Sequence, residues 1–296
     1  MRFVMTDKMV EANGITIRTE SFGDKEGVPL ILIMGATAPG IYWPERFIDK
    51  FLDQGRFVIR YDNRDTGKTT CVDFNEHPYN LEDMASDAIA VMNAYGIDRG
   101  HVAGASMGGM IVQTLMLQHA PRLRTATLIM STPLSGTTDE GLSAGDLPGP
   151  DPAWMEKSIS LLSSPPGSRE EMIERKIEQF RMLAGTAEEF DSDLQREIAT
   201  VEVDQAIDLS AAMNHPLAID NSSPSDRRPL LAKTKTPALV IHGTEDPILP
   251  YEHGVSLAET ISGCELMTLD KAGHEIPRCY EDEIVRRMVA LQDADD

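Results

Sequence analysis

Short, continuously apolar runs alternate with segments of helical periodicity along the first 130 residues. Residues 29–34 are apolar at every position and stop at Gly35, the pattern of a strand buried on both faces. Residues 57–61 and 125–130 read as further strands. Between them, 44–52 reads as a helix closed by Gln54-Gly55. Residues 81–95 read as a longer one, with Met84, Ala88, Val91 and Met92 on one face and Gly96 as its stop. Upstream, Ile15 and Ile17 alternate with polar neighbours beside the turn pair Asn13-Gly14, which predicts a hairpin over 10–20. Strands alternating with helices predict an α/β fold, a mostly parallel sheet flanked by helices.

The pattern changes at Pro133. Residues 135–229 hold no convincing strand, only helical stretches between Gly/Pro-rich loops such as 147–150 and 165–167. One helix is well marked: Ser168 and Glu171 form a capping box, and Met172, Ile173, Ile177, Phe180 and Leu183 form an apolar stripe suited to packing. Strands resume at 238–241 and 265–269, and 282–291 reads as a closing helix. A helical block between two sheet strands predicts a lid. The expected organisation is a core of 1–134 and 230–296, with a cap of 135–229 over the C-terminal edge of the strands, where open α/β sheets bind ligands.

The chemistry concentrates at Gly104-Ala105-Ser106-Met107-Gly108-Gly109. A short run at 99–103 reads as a strand and 107–119 as an apolar helix. Strand, G-x-S-x-G, helix is the context of a nucleophile elbow. The turn is so tight that side chains two residues before and after the serine would clash, hence the glycines. The hydroxyl is then held at a helix N-terminus, where backbone N–H groups favour developing negative charge. Ser106 is the expected nucleophile.

A serine needs a base, and in this architecture the order is serine, acid, histidine. Of seven histidines, His77 and His101 precede the elbow, and His119 ends the elbow helix. His215 lies inside the predicted lid, His242 ends a strand, and His253 falls in a helix after Pro250. His274, in Lys271-Ala272-Gly273-His274-Glu275 directly after the last strand, is the expected base, with Gly273 letting the loop bend. After the preceding strand stand Glu245 and Asp246; Asp246 is chosen because Pro247 fixes the turn behind it. Its role is to accept the second imidazole N–H and fix the tautomer. The oxyanion donors are expected to be the N–H groups of Met107 and of Ala36, in the loop after the 30–34 strand. Trp43, Trp154 and Met155, with Met172, Phe180 and Met182, suggest an apolar substrate pocket, although methionines pack cores equally well.

Composition narrows the surroundings. A chain of 296 residues suits one large or two small domains. A formal charge of −21, spread along the chain, argues against nucleic acid and anionic membranes and for a solvated acidic surface or a salt-adapted source. The longest apolar run is far short of the roughly 20 residues a membrane span needs, and residues 1–8 lack a signal-peptide core. Cys71, Cys264 and Cys279 are odd in number and widely spaced, which suits reduced thiols in a cytoplasm. The Asn221-Ser222-Ser223 sequon is then a chance match. No Cys/His cluster has metal-ligand spacing, so no metal or cofactor is expected. The expected partner is a small-molecule ester, and the expected state a monomer or homodimer.

With these pieces placed, the chain from residue 10 onward resembles the α/β-hydrolase fold family. Within it the chain is similar to the aclacinomycin methylesterase group, which cleaves a methyl ester from an anthracycline polyketide. The likeness lies in Ile33-Met34-Gly35, Tyr42-Trp43-Pro44, the fairly specific Arg60-Tyr61-Asp62-Asn63-Arg64-Asp65-Thr66-Gly67, His77-Pro78-Tyr79, Ser106-Met107-Gly108, Leu147-Pro148-Gly149-Pro150 and Gly273-His274. The resemblance implies the same nucleophile, base, acid and oxyanion donors. There is one departure: many relatives carry His-Gly before the oxyanion residue, where this chain has Met34-Gly35, so a usual orienting side chain is missing. The elbow is also similar to cofactor-free haloperoxidase-type esterases. The leading expectation is a carboxylic ester hydrolase working through an acyl-enzyme. The alternatives are a C–C bond hydrolase or lyase on the same residues, and a non-catalytic ligand receptor on the same scaffold.

Overall fold

The computed structural model describes residues 5–135, 146–164 and 166–295. Residues 136–145, at the start of the expected lid, and Pro165 of its second loop lie outside the described residues, as do residues 1–4 of the segment read for a signal peptide.

Eight strands form one sheet in the order β1-β2-β4-β3-β5-β6-β7-β8. They are β1 (Met5–Ala12), β2 (Ile15–Phe22), β3 (Val28–Ile33), β4 (Arg56–Tyr61), β5 (Gly100–Ala105), β6 (Leu123–Ile129), β7 (Ala238–Gly243) and β8 (Glu265–Leu269). The first two pair as the expected hairpin, longer than its sequence signal. Asn13 and Gly14 both carry positive φ, 53° and 78°, as a tight primed turn requires. From β3 to β8 every neighbouring pair is parallel. The central strands are buried at every position and mostly apolar, with Arg56, Arg60, His101 and His242 buried among the apolar residues.

The helices follow in chain order: α1 (Glu45–Leu52), α2 (Leu81–Ala94), α3 (Met107–Gln118), α4 (Pro152–Leu162), α5 (Arg169–Arg181), α6 (Ser192–Gln205), α7 (Asn214–Asp220), α8 (Arg228–Leu231), α9 (Glu252–Thr260) and α10 (Arg278–Asp293). Two apolar clusters sandwich the sheet. One gathers α2, α3 and α9 around Ile31, Ile33 and Val102; the other gathers α1 and α10 around Leu30, Leu32 and Ile241. Asn80 caps α2 with a complete capping box. The expected box on α5 forms only by half. Ser168 accepts from the Glu171 N–H, but the Glu171 carboxylate turns to the Gly167 N–H at 2.6 Å.

Helices α4 to α8 lie between β6 and β7 in sequence. Before β7 the chain is tied back to the segment that follows β6. Leu134 bridges Asp226, and the buried Arg227 donates to Gln113 Oε1 at 3.0 Å and to the Thr132 and Leu134 carbonyls at 3.1 Å each. Among the described residues, no helix is long and apolar enough to cross a membrane.

Candidate active site

The elbow is built by glycines at points of backbone contact. Ser106, between β5 and α3, has φ 54° and ψ −119°, a region that L residues rarely occupy. A Cβ on Gly104 would stand 2.2 Å from the Gly108 carbonyl oxygen, and one on Gly108 would stand 2.1 Å from the Ile33 oxygen. Either would push the turn off the sheet. The Ser106 N–H donates to Ile129 O at 2.9 Å, and its carbonyl accepts from the Ser131 hydroxyl at 2.9 Å. The strained residue is therefore held from both sides.

His274, after β8, and Asp246, after β7, meet as a buried pair. His274 Nδ1 lies 2.7 Å from Asp246 Oδ2, and Asp246 Oδ1 accepts from the Ile248 and Leu249 N–H groups at 2.9 and 2.8 Å. The His242 ring lies 3.4 Å from the same carboxylate. Burial works against the Asp246 charge, but the His274 and His242 rings overcome it and hold the carboxyl well below its usual range. An ionised acceptor requires the proton on His274 Nδ1, which leaves Nε2 with a free lone pair. Glu245, the alternative acid, is engaged elsewhere: it accepts from the Thr186 N–H and hydroxyl, each at 2.8 Å.

The loop bearing His274 is gripped by the chain just after α5. The His274 N–H donates to Leu183 O at 2.8 Å, and the N–H groups of Thr186 and Ala187 donate to Lys271 O. Gly273 is needed for this approach rather than for bending, because a Cβ there would stand 2.0 Å from Leu183 O.

Ser106 and His274 line one cavity of about 450 Å3 together with Gly35, Ala36 and Met107. Its remaining walls are mostly apolar and come largely from α4, α5 and α7, including Trp154, Phe180 and Ile219. Among the described residues the Ser106 hydroxyl makes no hydrogen bond, as is common before substrate tightens a site. The Ala36 and Met107 N–H groups likewise have no protein acceptor among the described residues. Gly35 lets the Ala36 loop reach the nucleophile, since a Cβ there would stand 3.0 Å from Ser106 Cβ. A second chamber of about 150 Å3 shares His274, Met34 and Phe180, and Trp43 lines it. Of the expected substrate contacts, Trp43 and Trp154 thus reach cavities beside His274. Met155 does not: it lies one position along α4 from Trp154, lines neither chamber and is 38% exposed. One helical step is enough to turn it outward. Among the described residues no cluster of three or more His, Cys, Asp or Glu side chains could hold a metal ion.

The sequence reading passed over His215. It is fully buried on α7, where Nδ1 accepts the Thr37 N–H at 2.9 Å and Nε2 meets the Arg64 carbonyl at 2.7 Å. Its partners lie more than 150 residues upstream, and no local signal announces such contacts.

Comparison with known proteins agrees with this architecture. Residues 28–277 match the family described as "alpha/beta hydrolase fold". The chain belongs to the α/β-hydrolase family. This α/β-hydrolase is 32% identical to rhodomycin D methylesterase DauP of Streptomyces sp. (strain C5), over 97% of this chain and 98% of the relative. It is 26% identical to a 2-hydroxymuconate semialdehyde hydrolase of Pseudomonas putida, over 87% of this chain and 84% of that protein. In three dimensions it is similar to the enol-lactonase of Burkholderia xenovorans LB400, with a TM-score of 0.75 at 23% identity, covering 97% of this chain and 100% of the other. Family membership and the methylesterase relative support an ester hydrolase.

Proposed function

We propose that this chain hydrolyses carboxylic esters through an acyl-enzyme on Ser106, with His274 as the base and Asp246 as the acid. The observation that carries the reading is the buried Asp246–His274 pair, with His274 lining the same cavity as Ser106 and as Ala36 and Met107, whose N–H groups have no acceptor among the described residues. Ser106 Oγ attacks the ester carbonyl while Nε2 takes the hydroxyl proton. The Ala36 and Met107 N–H groups receive the oxyanion, each such donor contributing roughly 2.7–4 kcal/mol in the transition state. Collapse breaks the bond to the alcohol, which leaves with the proton held on Nε2. Water, deprotonated by the same nitrogen, then releases the acid and restores Ser106.

The substrate class follows from the cavity and the relatives. An apolar chamber of about 450 Å3 suits a bulky acyl group, and the methylesterase relative suggests a methyl ester of a polyketide-like acid. In this reading the helices within 135–229 act as a lid over Ser106. Three unpaired thiols fit a cytoplasmic setting. A C–C hydrolase reading on the same residues is kept for one reason, the relative named for a semialdehyde substrate.

Turnover of a panel of short-chain chromogenic and aryl methyl esters tests the assignment. Ser106→Ala and His274→Ala should each lower kcat by at least about 10³-fold with the melting temperature retained. Undiminished turnover in either variant overturns it. Cleavage of a vinylogous diketone in preference to every ester favours the C–C reading.

A further inference from the structure

We propose that His215, carried by helix α7, is a positioning residue that sets the oxyanion hole. The inference rests on the ester-hydrolase reading above. The hole needs the Gly35–Ala36 peptide turned so that the Ala36 N–H faces the cavity. Both neighbouring peptides are pinned by side chains from elsewhere. Asn63 Nδ2 donates to the Met34 carbonyl at 2.9 Å, and His215 Nδ1 accepts the Thr37 N–H at 2.9 Å. The peptide between them is thus fixed at both ends while its own N–H stays free for substrate.

Thr37 would not hold this conformation unaided. Its φ of 64° is left-handed, which is unfavourable for a β-branched residue. An N–H bond to a buried acceptor supplies the missing restraint. The His215 ring is itself held: Nε2–H donates to Arg64 O at 2.7 Å, which leaves Nδ1 as the acceptor. The next residue back, Asn214, donates to Asp65 Oδ2 and to Val72 O at 3.1 Å each, and so docks α7 on the same loop. An imidazole carried by α7 thus reaches the loop that follows β3. Because α7 also supplies cavity wall through Pro216, Ile219 and Asp220, substrate packing against the wall bears on the element that fixes the hole.

Two amide replacements separate positioning from mere filling. Asn places its carbonyl oxygen near the site of Nδ1 and can still accept from Thr37. Gln places its amide nearer Nε2 and keeps only the tie to Arg64. Activities are referred to sites titrated with an organophosphate, so that unfolded protein is not counted. H215Q should lose about 10- to 100-fold in kcat, the scale of a small misplacement of catalytic groups, with KM within about twofold. It should weaken a trifluoromethyl ketone, whose oxyanion occupies the hole, by the same factor. H215N should stay within about threefold of the wild type in both measurements. Wild-type values in H215Q overturn the proposal. So does a loss confined to KM, or H215N falling as far as H215Q. A wild-type protein inert to every ester overturns the ester-hydrolase reading and this proposal with it. Active wild type with indifferent variants overturns this proposal alone.

Discussion

Asp246 shows how a single side chain does two jobs that a sequence reading can only half see. Its position after β7 was enough to nominate it over Glu245, because Pro247 marks the turn. What the sequence could not show is that one oxygen binds the turn and the other the imidazole. That division yields a specific expectation. In Asp246→Asn the remaining oxygen is claimed by the Ile248 and Leu249 N–H groups, so the amide NH2 faces His274 Nδ1. Nδ1 must then accept, the proton moves to Nε2, and in the proposed mechanism the ring can no longer take the serine proton. We expect kcat to fall about 10⁴-fold, the loss seen when a triad acid is neutralised with its geometry intact, with the melting temperature within a few degrees. Steady-state kinetics beside a thermal scan checks it, and a loss under tenfold would remove Asp246 from the mechanism. That Ser106, His274 and Asp246 come together at one edge of the sheet was legible, because chain order and strand ends constrain them. His215 was not, because its meaning lies in Thr37 and Arg64, and being inside the lid told against it.

Elements with a strong period were legible almost to their ends. Helix α2 was read over 81–95 and spans Leu81–Ala94, since its apolar stripe packs on the sheet and its cap is local. Helix α6 was not singled out. Only Ala199 and Glu202 are buried along its 14 residues, and Glu202 is buried because it pairs with Lys176 and accepts from the Tyr42 hydroxyl. Its apolar contact with α5 is confined to Ala199 and Val203 against Ile173 and Ile177, too few positions to make a hydrophobic period. Polar contacts also join the segment after α5 to the His274 loop, and there the sequence misassigned the cause: Gly273 serves close approach, not flexibility. Gly273→Ala must separate Leu183 from the loop by more than 1 Å to relieve the 2.0 Å approach. His274 loses its backbone anchor in the process. We expect kcat to fall about 100-fold or more and unfolding to become easier by roughly 1–3 kcal/mol. Chemical denaturation and ester turnover measured on the same samples decide it. A variant matching the wild type in both would show that the segment yields freely.

Taken as a whole, the molecule carries a formal charge of −21 yet buries basic groups and imidazoles beneath that acidic surface, and the two respond to acid in opposite senses. Protonating surface carboxylates near pH 4 relieves repulsion and favours the compact state. Buried histidines act earlier. His101 on β5 is fully buried, bonded through Nδ1 to the Thr125 hydroxyl at 2.9 Å, and its Nε2 has no partner among the described residues. Burial, reinforced by Arg124 and Arg56, lowers its pKa to about 4. The unfolded chain takes up a proton at about 6.5, which the folded chain refuses until about pH 4. Stability from this residue is therefore complete above pH 6.5 and is lost as the pH falls towards 4. Across that window the loss amounts to about 3 kcal/mol. Between pH 6.5 and 5 His101 lowers stability as the pH falls, against Asp62, Asp87, Glu275 and Glu281, whose pKa values burial raises. His101→Asn keeps a partner for Thr125 but removes the titration. It should flatten the pH dependence of urea unfolding between pH 7 and 4 by about that amount, whatever its stability at pH 7. Equal slopes in the two proteins would mean that His101 takes up its proton in the folded state as readily as in the unfolded one, by opening a path for water to its unpaired nitrogen.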